Sequence, residues 1–312
     1  MLGVLLAVTV GLIVSGFYID LGPSVRGLAE RQASAYLQRP VHIGHVKASV
    51  GRGEFELTNV VIESTSPTDI PFARITRVAI SVPWWTVFNR ALIIDYVHVT
   101  GLFINIASYP NDVNNIPKPR KGSGEPSPFT VTTRQVITDE SEVSYFDHDA
   151  NWSAICRNLS VVVVRGLGAY YGRAHFTNGT ITVSTYLPMT ADLDAGFRID
   201  KGLLQLNRGQ IHTDGAVSEM TGTLDFNHWP EQRYNLTSEL DWPEVRRVFF
   251  DGSRWELAGH GRFDGTFHKY KGGYQVDGRV SSPLFSVLTS FGNYRFPTVS
   301  YTHLTLPTNR EV

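Results

Sequence analysis

The 312-residue chain has one cysteine, three methionines and almost no charge imbalance, with 28 Lys and Arg against 29 Asp and Glu. A lone Cys156 excludes an intramolecular disulfide, so stability must come from hydrogen-bonded ladders and packing. Beside Ile155 it reads as a small buried apolar residue. Acids and bases are spread along the chain, which leaves no electrostatic footprint for nucleic acid. Charged residues make up only 18% of the sequence, low for a helical protein and suited to a chain of strands. Neither a Gly-x-Ser-x-Gly elbow nor a Walker loop is present, and no nucleophile is coupled to a base by spacing. No catalytic residue and no cofactor are therefore expected.

Charge is missing most conspicuously at the start, where Met1 to Ile19 carry none. At about 1.5 Å per residue a helix of this length spans roughly 28 Å, close to the hydrocarbon thickness of a bilayer. A transmembrane anchor over residues 1–20 is the first reading. A secretory signal cleaved before Phe17, after the small Val14 and Gly16, is the alternative, although no Lys or Arg precedes the run. Both readings export the rest of the chain. Residues 21–39 then read as a short amphipathic helix, with Pro23 in its first turn, Val25, Leu28, Ala29, Ala35 and Tyr36 apolar, and Pro40 ending it.

From Val41 the period changes to two. Phe55 and Leu57, then Val60 and Ile62, suggest strands broken near Asn59. Val78, Ile80 and Val82 form one apolar series, and Leu102, Ile104 and Ile106 another. Between them, Pro83 to Arg90 reads as a helical turn whose Trp84 and Trp85 pack on the sheet. Tyr109 to Ser127, rich in Pro and Gly, reads as a mobile loop over about 109–128. Later series are cleaner: Tyr234, Leu236, Leu240 and Trp242 share one parity, as do Trp255, Leu257, Phe263 and Phe267, and Val276 and Val280 continue the pattern. Gly259, Gly261 and Gly265 fill gaps on that dry face, where glycine lets a sheet bend or admits something bulky beside it. Asp241-Trp242-Pro243-Glu244 has the form of a capping box opening a short helix. The same texture runs to Phe296 without a fixed repeat, so the fold class expected is mainly β, one extended antiparallel sheet over residues 40–297.

Two histidine patterns carry no chemistry here. His42-Ile43-Gly44-His45 spells a class I aminoacyl-tRNA synthetase signature, but it precedes strands rather than following a Rossmann strand. As metal ligands its two histidines would face opposite sides of a strand, and Asp147-His148-Asp149 reads as a solvated loop. The Asn-x-Ser/Thr sites at Asn151, Asn158, Asn178 and Asn235 matter only in a eukaryotic secretory route.

The ordered set of segments resembles the amino-terminal region of the AsmA-like family, and within it the TamB-type (translocation and assembly module) proteins of diderm bacteria. The matching pieces are the apolar anchor, the amphipathic helix, Pro40 to Val46, Gly53 to Ile62, Pro71 to Ile75, Val78 to Val82 and Ile94 to Ile106. Gly222 to Phe226 and Gly259 to Gly265 look like further strands of that family. The resemblance implies a single-pass inner-membrane protein with a periplasmic sheet curled into an apolar groove. It implies transfer of membrane lipids, phospholipids foremost, towards the outer membrane, with an outer-membrane partner reached through a missing carboxy-terminal part. Alternation places Val78, Ile80, Val82, Leu102, Ile104, Ile106, Leu236, Leu240, Leu257, Phe263 and Val276 as its expected lining. A scaffold for outer-membrane or secreted proteins, working by strand addition, is the alternative function. An exported β-sandwich enzyme or sugar-binding domain is the third. Val299 to Thr308 is what one frame of a common transposon-based sequencing adapter encodes, so residues 298–312 are expected to be a non-native tail.

Overall fold

The computed structural model describes residues 23–49, 53–66, 69–83, 91–110, 113–118, 130–149, 151–184, 186–228, 231–270, 273–296 and 299–302. The expected anchor, the Trp84–Trp85 turn and most of the tail lie outside them. Among the described residues no helix is long and apolar enough to cross a membrane. Strands dominate, as expected. In chain order the elements are α1 (Pro23–Leu37), β1 (Val41–Ser49), β2 (Glu54–Ile62), β3 (Ala73–Ser81), β4 (Ala91–Tyr109), β5 (Val113–Asn114), β6 (Thr130–Asp147), β7 (Trp152–Arg165), β8 (Tyr170–Val183) and β9 (Met189–Asp200). The chain continues with β10 (Leu203–Thr213), β11 (Ala216–Asp225), β12 (Gln232–Asp241), α2 (Trp242–Phe249), β13 (Glu256–Ala258), β14 (His260–Tyr270), β15 (Gly273–Ser282), β16 (Phe285–Thr289), β17 (Gly292–Phe296) and β18 (Val299–Thr302).

One sheet takes the order β1-β2-β3-β4-β6-β7-β8-β9-β10-β11-β12-β14-β15-β18, with β5 paired to β4; β13-β16-β17 form a second, small sheet. The expectation of a purely antiparallel sheet is corrected at one place. Arg134 binds Asp95, Asp139 meets His98, and the His148 amide donates to Ser108, so β4 and β6 advance in the same direction. Parallel neighbours need a crossover of a dozen or more residues, and the stretch 110–129 supplies it. That stretch is also not loop throughout. Tyr109 closes β4, β5 pairs with β4, and buried Asn115 accepts from the Ala107 amide at 2.9 Å while its own amide donates to Asn105.

The chain forms two compact units, residues 1–107, 114–145 and 159–165, and residues 108–113, 146–158 and 166–312. In the first, Val25, Ala29, Ala33 and Leu37 lie four residues apart, one stripe of α1, and all are buried. Gln38 leaves the helix with φ 54°. The neighbouring stripe covers the edge of β1: Ser34 Oγ accepts from the Val41 amide, Glu30 Oε1 accepts from the Ile43 amide, and Arg26 donates to the Gly44 carbonyl. An edge strand so covered has no free ladder groups at these positions.

β2 is not broken at Asn59. It runs on, but its inward parity slips: Phe55 and Leu57 are buried, then Val60 and Ile62. The same slip separates Val41 and Ile43 from Val46 and Ala48 in β1, Ala73 and Ile75 from Val78 and Ile80 in β3, and Val97 and Val99 from Leu102 and Ile104 in β4. Pairing keeps step across it, from Ile43↔Val60 to His45↔Thr58 and from Ile75↔Leu102 to Arg77↔Thr100. Each of β1 to β4 therefore spends one extra residue at the same level, opposite that of its neighbour and without a shift of register, and Asn59 and Gly101 adopt positive φ there.

At Gly101 (φ 63°) a Cβ would collide with the Thr76 side chain. Gly101→Ala should lower stability by more than about 1 kcal/mol, read as a fall in the urea midpoint of the full chain.

Candidate functional site

In the second unit the pairing registers align seven strands, β8 to β12, β14 and β15, into rows on one face. The outermost row is Tyr170, Ile199, Leu204, Leu224, Gln232, Lys269 and Tyr274. Next come Gly172, Phe197, Leu206, Gly222, Tyr234, Phe267 and Val276, then Ala174, Ala195, Gly209, Met220, Leu236, Gly265 and Gly278. The fourth row is Phe176, Leu193, Ile211, Ser218, Ser238, Phe263 and Val280, and the fifth runs from Gly179 and Ala191 through Thr213, Ala216 and Leu240 to Gly261. Bulges after Phe176 in β8 and after Leu206 in β10 keep the apolar residues on this side. Most of these side chains are half-buried. The opposite face carries Arg173, His175, Asp194, Arg198, Glu239, Arg262, Asp264 and His268, with ion pairs such as Arg262–Asp264 at 2.8 Å.

Several glycines on the apolar face lie under rings, while Gly209 lies against Met220 and Leu206. A Cβ on Gly172 would strike Phe197, one on Gly222 would strike Tyr234, and one on Gly261 would strike Trp242, while the Phe263 ring lies over both Gly265 and Gly278. The aromatics thus lean across neighbouring strands, and the face is smoother than a row of upright side chains.

α2 closes the Gly261 end. Asp241 caps it, accepting from the Glu244 amide, Trp242 Nε1 donates to Ser282 Oγ at 3.1 Å, and Val248 is buried with its carbonyl bonded to the Leu187 amide. Arg247 bridges Glu244 and Asp214. Burial opposes the Asp214 charge, but donors from Thr190 together with Arg247 hold its carboxyl below the usual range. Burial pushes the Tyr234 hydroxyl up, so it stays a donor.

Of the eleven expected lining residues, Leu236, Leu240, Phe263 and Val276 are brought onto this face. Leu257 is on the small sheet, opposite Val287. Val78, Ile80, Val82, Leu102 and Ile104 are buried in the first unit's core beside the α1 stripe, and Ile106 packs against it. Sequence reading missed Phe197, Leu206, Ile211 and Met220; in β10 the parity of Leu206 and Ile211 is interrupted by the bulge, where Asn207 and Arg208 are both exposed, while β9 and β11 keep the alternation that places Phe197 and Met220. A hollow of about 650 Å³ lies at the α2 end of these strands, lined both by Thr213, Ala216, Leu240 and Gly261 of the fifth row and by Val217, Glu239, Arg262 and Ser281. Among the described residues no cluster of His, Cys, Asp and Glu is arranged to hold a metal.

Comparison with protein-family models, curated proteins and solved structures finds no match to the chain.

Two outcomes are expected. Gly172→Val and Phe197→Leu should be non-additive, the second substitution recovering part of the loss from the first, with a coupling of roughly 0.5–3 kcal/mol in a double-mutant cycle; simple additivity would mean that the ring does not occupy the glycine gap. The second concerns His228, whose pKa is raised by its hydrogen bond to the Asp225 carboxylate, itself lowered by the same bond. The Asp225 contribution is present above its unfolded value and lost as pH falls through its depressed one. The His228 contribution is full below its unfolded value of about 6.5 and lost as pH rises through the raised one. His228→Gln should accordingly flatten the fall in urea midpoint as pH rises above about 6.5.

Proposed function

We propose that the chain is a membrane-anchored periplasmic lipid-transfer protein of a diderm bacterium, carrying phospholipids between inner and outer membranes along an apolar groove. The observation that carries this reading is the second unit's face: five rows across seven strands, apolar on one side and charged on the other. At about 4.8 Å between strands and roughly 6.7 Å between alternate residues it measures on the order of 27 by 29 Å. Acyl chains on such a surface gain roughly 0.8 kcal/mol for each sheltered methylene. Rings lying over glycines offer few knobs to hold a chain in one place, which favours movement along the face over tight, fixed packing. Passage requires bond rotation and desolvation only, so no catalytic residue takes part and the protein is no enzyme.

The anchor would hold the chain at the inner membrane, from which lipid enters. An outer-membrane partner would act at the far end. The resemblance to TamB-type proteins supports the same assignment. A scaffold that recruits proteins by strand addition is the second reading, and it is disfavoured at β1, whose outward amides at Val41 and Ile43 are already bonded by Ser34 and Glu30.

Purified full chain should carry lipid detectable by mass spectrometry of an organic extract. Met220→Glu combined with Leu236→Glu, which puts two charges in adjacent positions of the third row, should strip it by tenfold or so, since each buried unpaired charge costs several kcal/mol. Circular dichroism checks that the strands persist. Lipid-free wild-type protein would sink the proposal.

A further inference from the structure

The apolar face has one charged position in its five rows, Lys269, and it stands in the outermost row at the end away from α2. Its register partners on that face are Gln232 on β12 and Tyr274 on β15. Directly paired residues have Cβ atoms roughly 4.5–5.5 Å apart, so Lys269 stands between Gln232 and Tyr274 in the row, and residues bearing an ammonium, a carboxamide and a phenol are register neighbours. Gln232 Oε1 already accepts from the Tyr234 hydroxyl at 3.2 Å, which leaves the Gln232 NH₂ as the group to donate outward. Among the described residues no carboxylate pairs with Lys269, and its row contains no acid. The Tyr274 ring stacks inward on Phe267 of the second row, which stacks in turn on Tyr234, with centroids 6.2 and 6.3 Å apart and both pairs inclined by 22°.

We propose that Lys269, Gln232 and Tyr274 form a subsite for the anionic head of an amphiphile whose chain lies along the strands towards α2, an inference that rests on the lipid reading above. The ligand class is a long alkyl chain ending in a phosphate or phosphodiester. The phosphate oxygens accept from the Lys269 ammonium, the Tyr274 hydroxyl and the Gln232 amide. Charge complementarity selects the anion, because a cation at the margin of an apolar surface keeps its solvation only by staying at the rim or by meeting an anion there. Length agrees as well. From the outermost row to the fourth is roughly 20 Å, enough for a chain of one bilayer leaflet at about 15 Å, and Trp242 over Gly261 stops the face beyond that point.

The test uses the full chain, stripped of co-purified lipid, in titration calorimetry with dodecyl phosphate, dodecanol and inorganic phosphate, all below micelle-forming concentrations. Dodecyl phosphate should bind about tenfold tighter than dodecanol, the scale of a charge-assisted contact. Lys269→Gln should bring the two to equal affinity and leave dodecanol unchanged, while Lys269→Arg should retain the preference. Inorganic phosphate should give no saturable heat. Equal affinity for the two amphiphiles in the wild type overturns the subsite and leaves the lipid reading standing, as does a preference that survives in Lys269→Gln. Phosphate alone binding as tightly as its dodecyl ester overturns the amphiphile. If neither amphiphile binds the wild type, the lipid reading itself fails and the subsite with it.

Discussion

Side chains in a strand alternate with a period of two, and hydrogen-bonded neighbours must alternate in step, so a sheet keeps one dry face only if every strand holds the same phase. All else in this protein depends on how that constraint is met. In the first unit each of β1 to β4 takes in one extra residue, and all do so at the same level. Asn59 and Gly101 absorb the positive φ that this requires. A slip in one strand alone would have turned half of its apolar residues to solvent. Made together, the slips leave the ladder in register and send Phe55 and Leu57, and then Val60 and Ile62, into one core.

The second unit solves the same problem strand by strand. β8 and β10 carry bulges against their neighbours, and the other strands pass straight through. The result differs in kind. In the first unit the apolar side chains meet one another and the α1 stripe, and they are buried. In the second, Phe176, Ala195, Phe197 and Leu206 are buried but most of the others are half-exposed, with rings laid over Gly172, Gly222 and Gly278 instead of standing upright. Packing energy is thereby given up where a ligand would lie. A single polar margin, Gln232 to Tyr274, faces the one end that α2 leaves open.

The two helices among the described residues serve as terminators. α1 satisfies backbone groups at the edge of β1, which would otherwise template pairing with another chain. α2 is only two turns long and would not hold its shape unaided. Asp241, Pro243 and the Arg247–Asp214 bridge fix it across the strand ends. Its Trp242 occupies the space that the absent Gly261 side chain provides.

Much of this was legible in the residues. Period-two alternation gives the strands, the α1 stripe and the Asp241 capping box are local, and glycines at dry-face positions forecast room for something bulky beside them. Local signals suffice there because they rest on backbone geometry within a few residues. Three matters were decided only by tertiary structure. Strand direction between β4 and β6 depends on where the 110–129 crossover leads, which no local pattern records. Whether Val78 and Leu102 end in a closed core or on an open face depends on what packs above them. Lys269 looks like any turn-proximal lysine until pairing sets it beside Gln232 and Tyr274. Alternation assigns a residue to a side of its own strand. Only the register between strands, fixed by hydrogen bonds among residues far apart in the chain, assigns it to a neighbour.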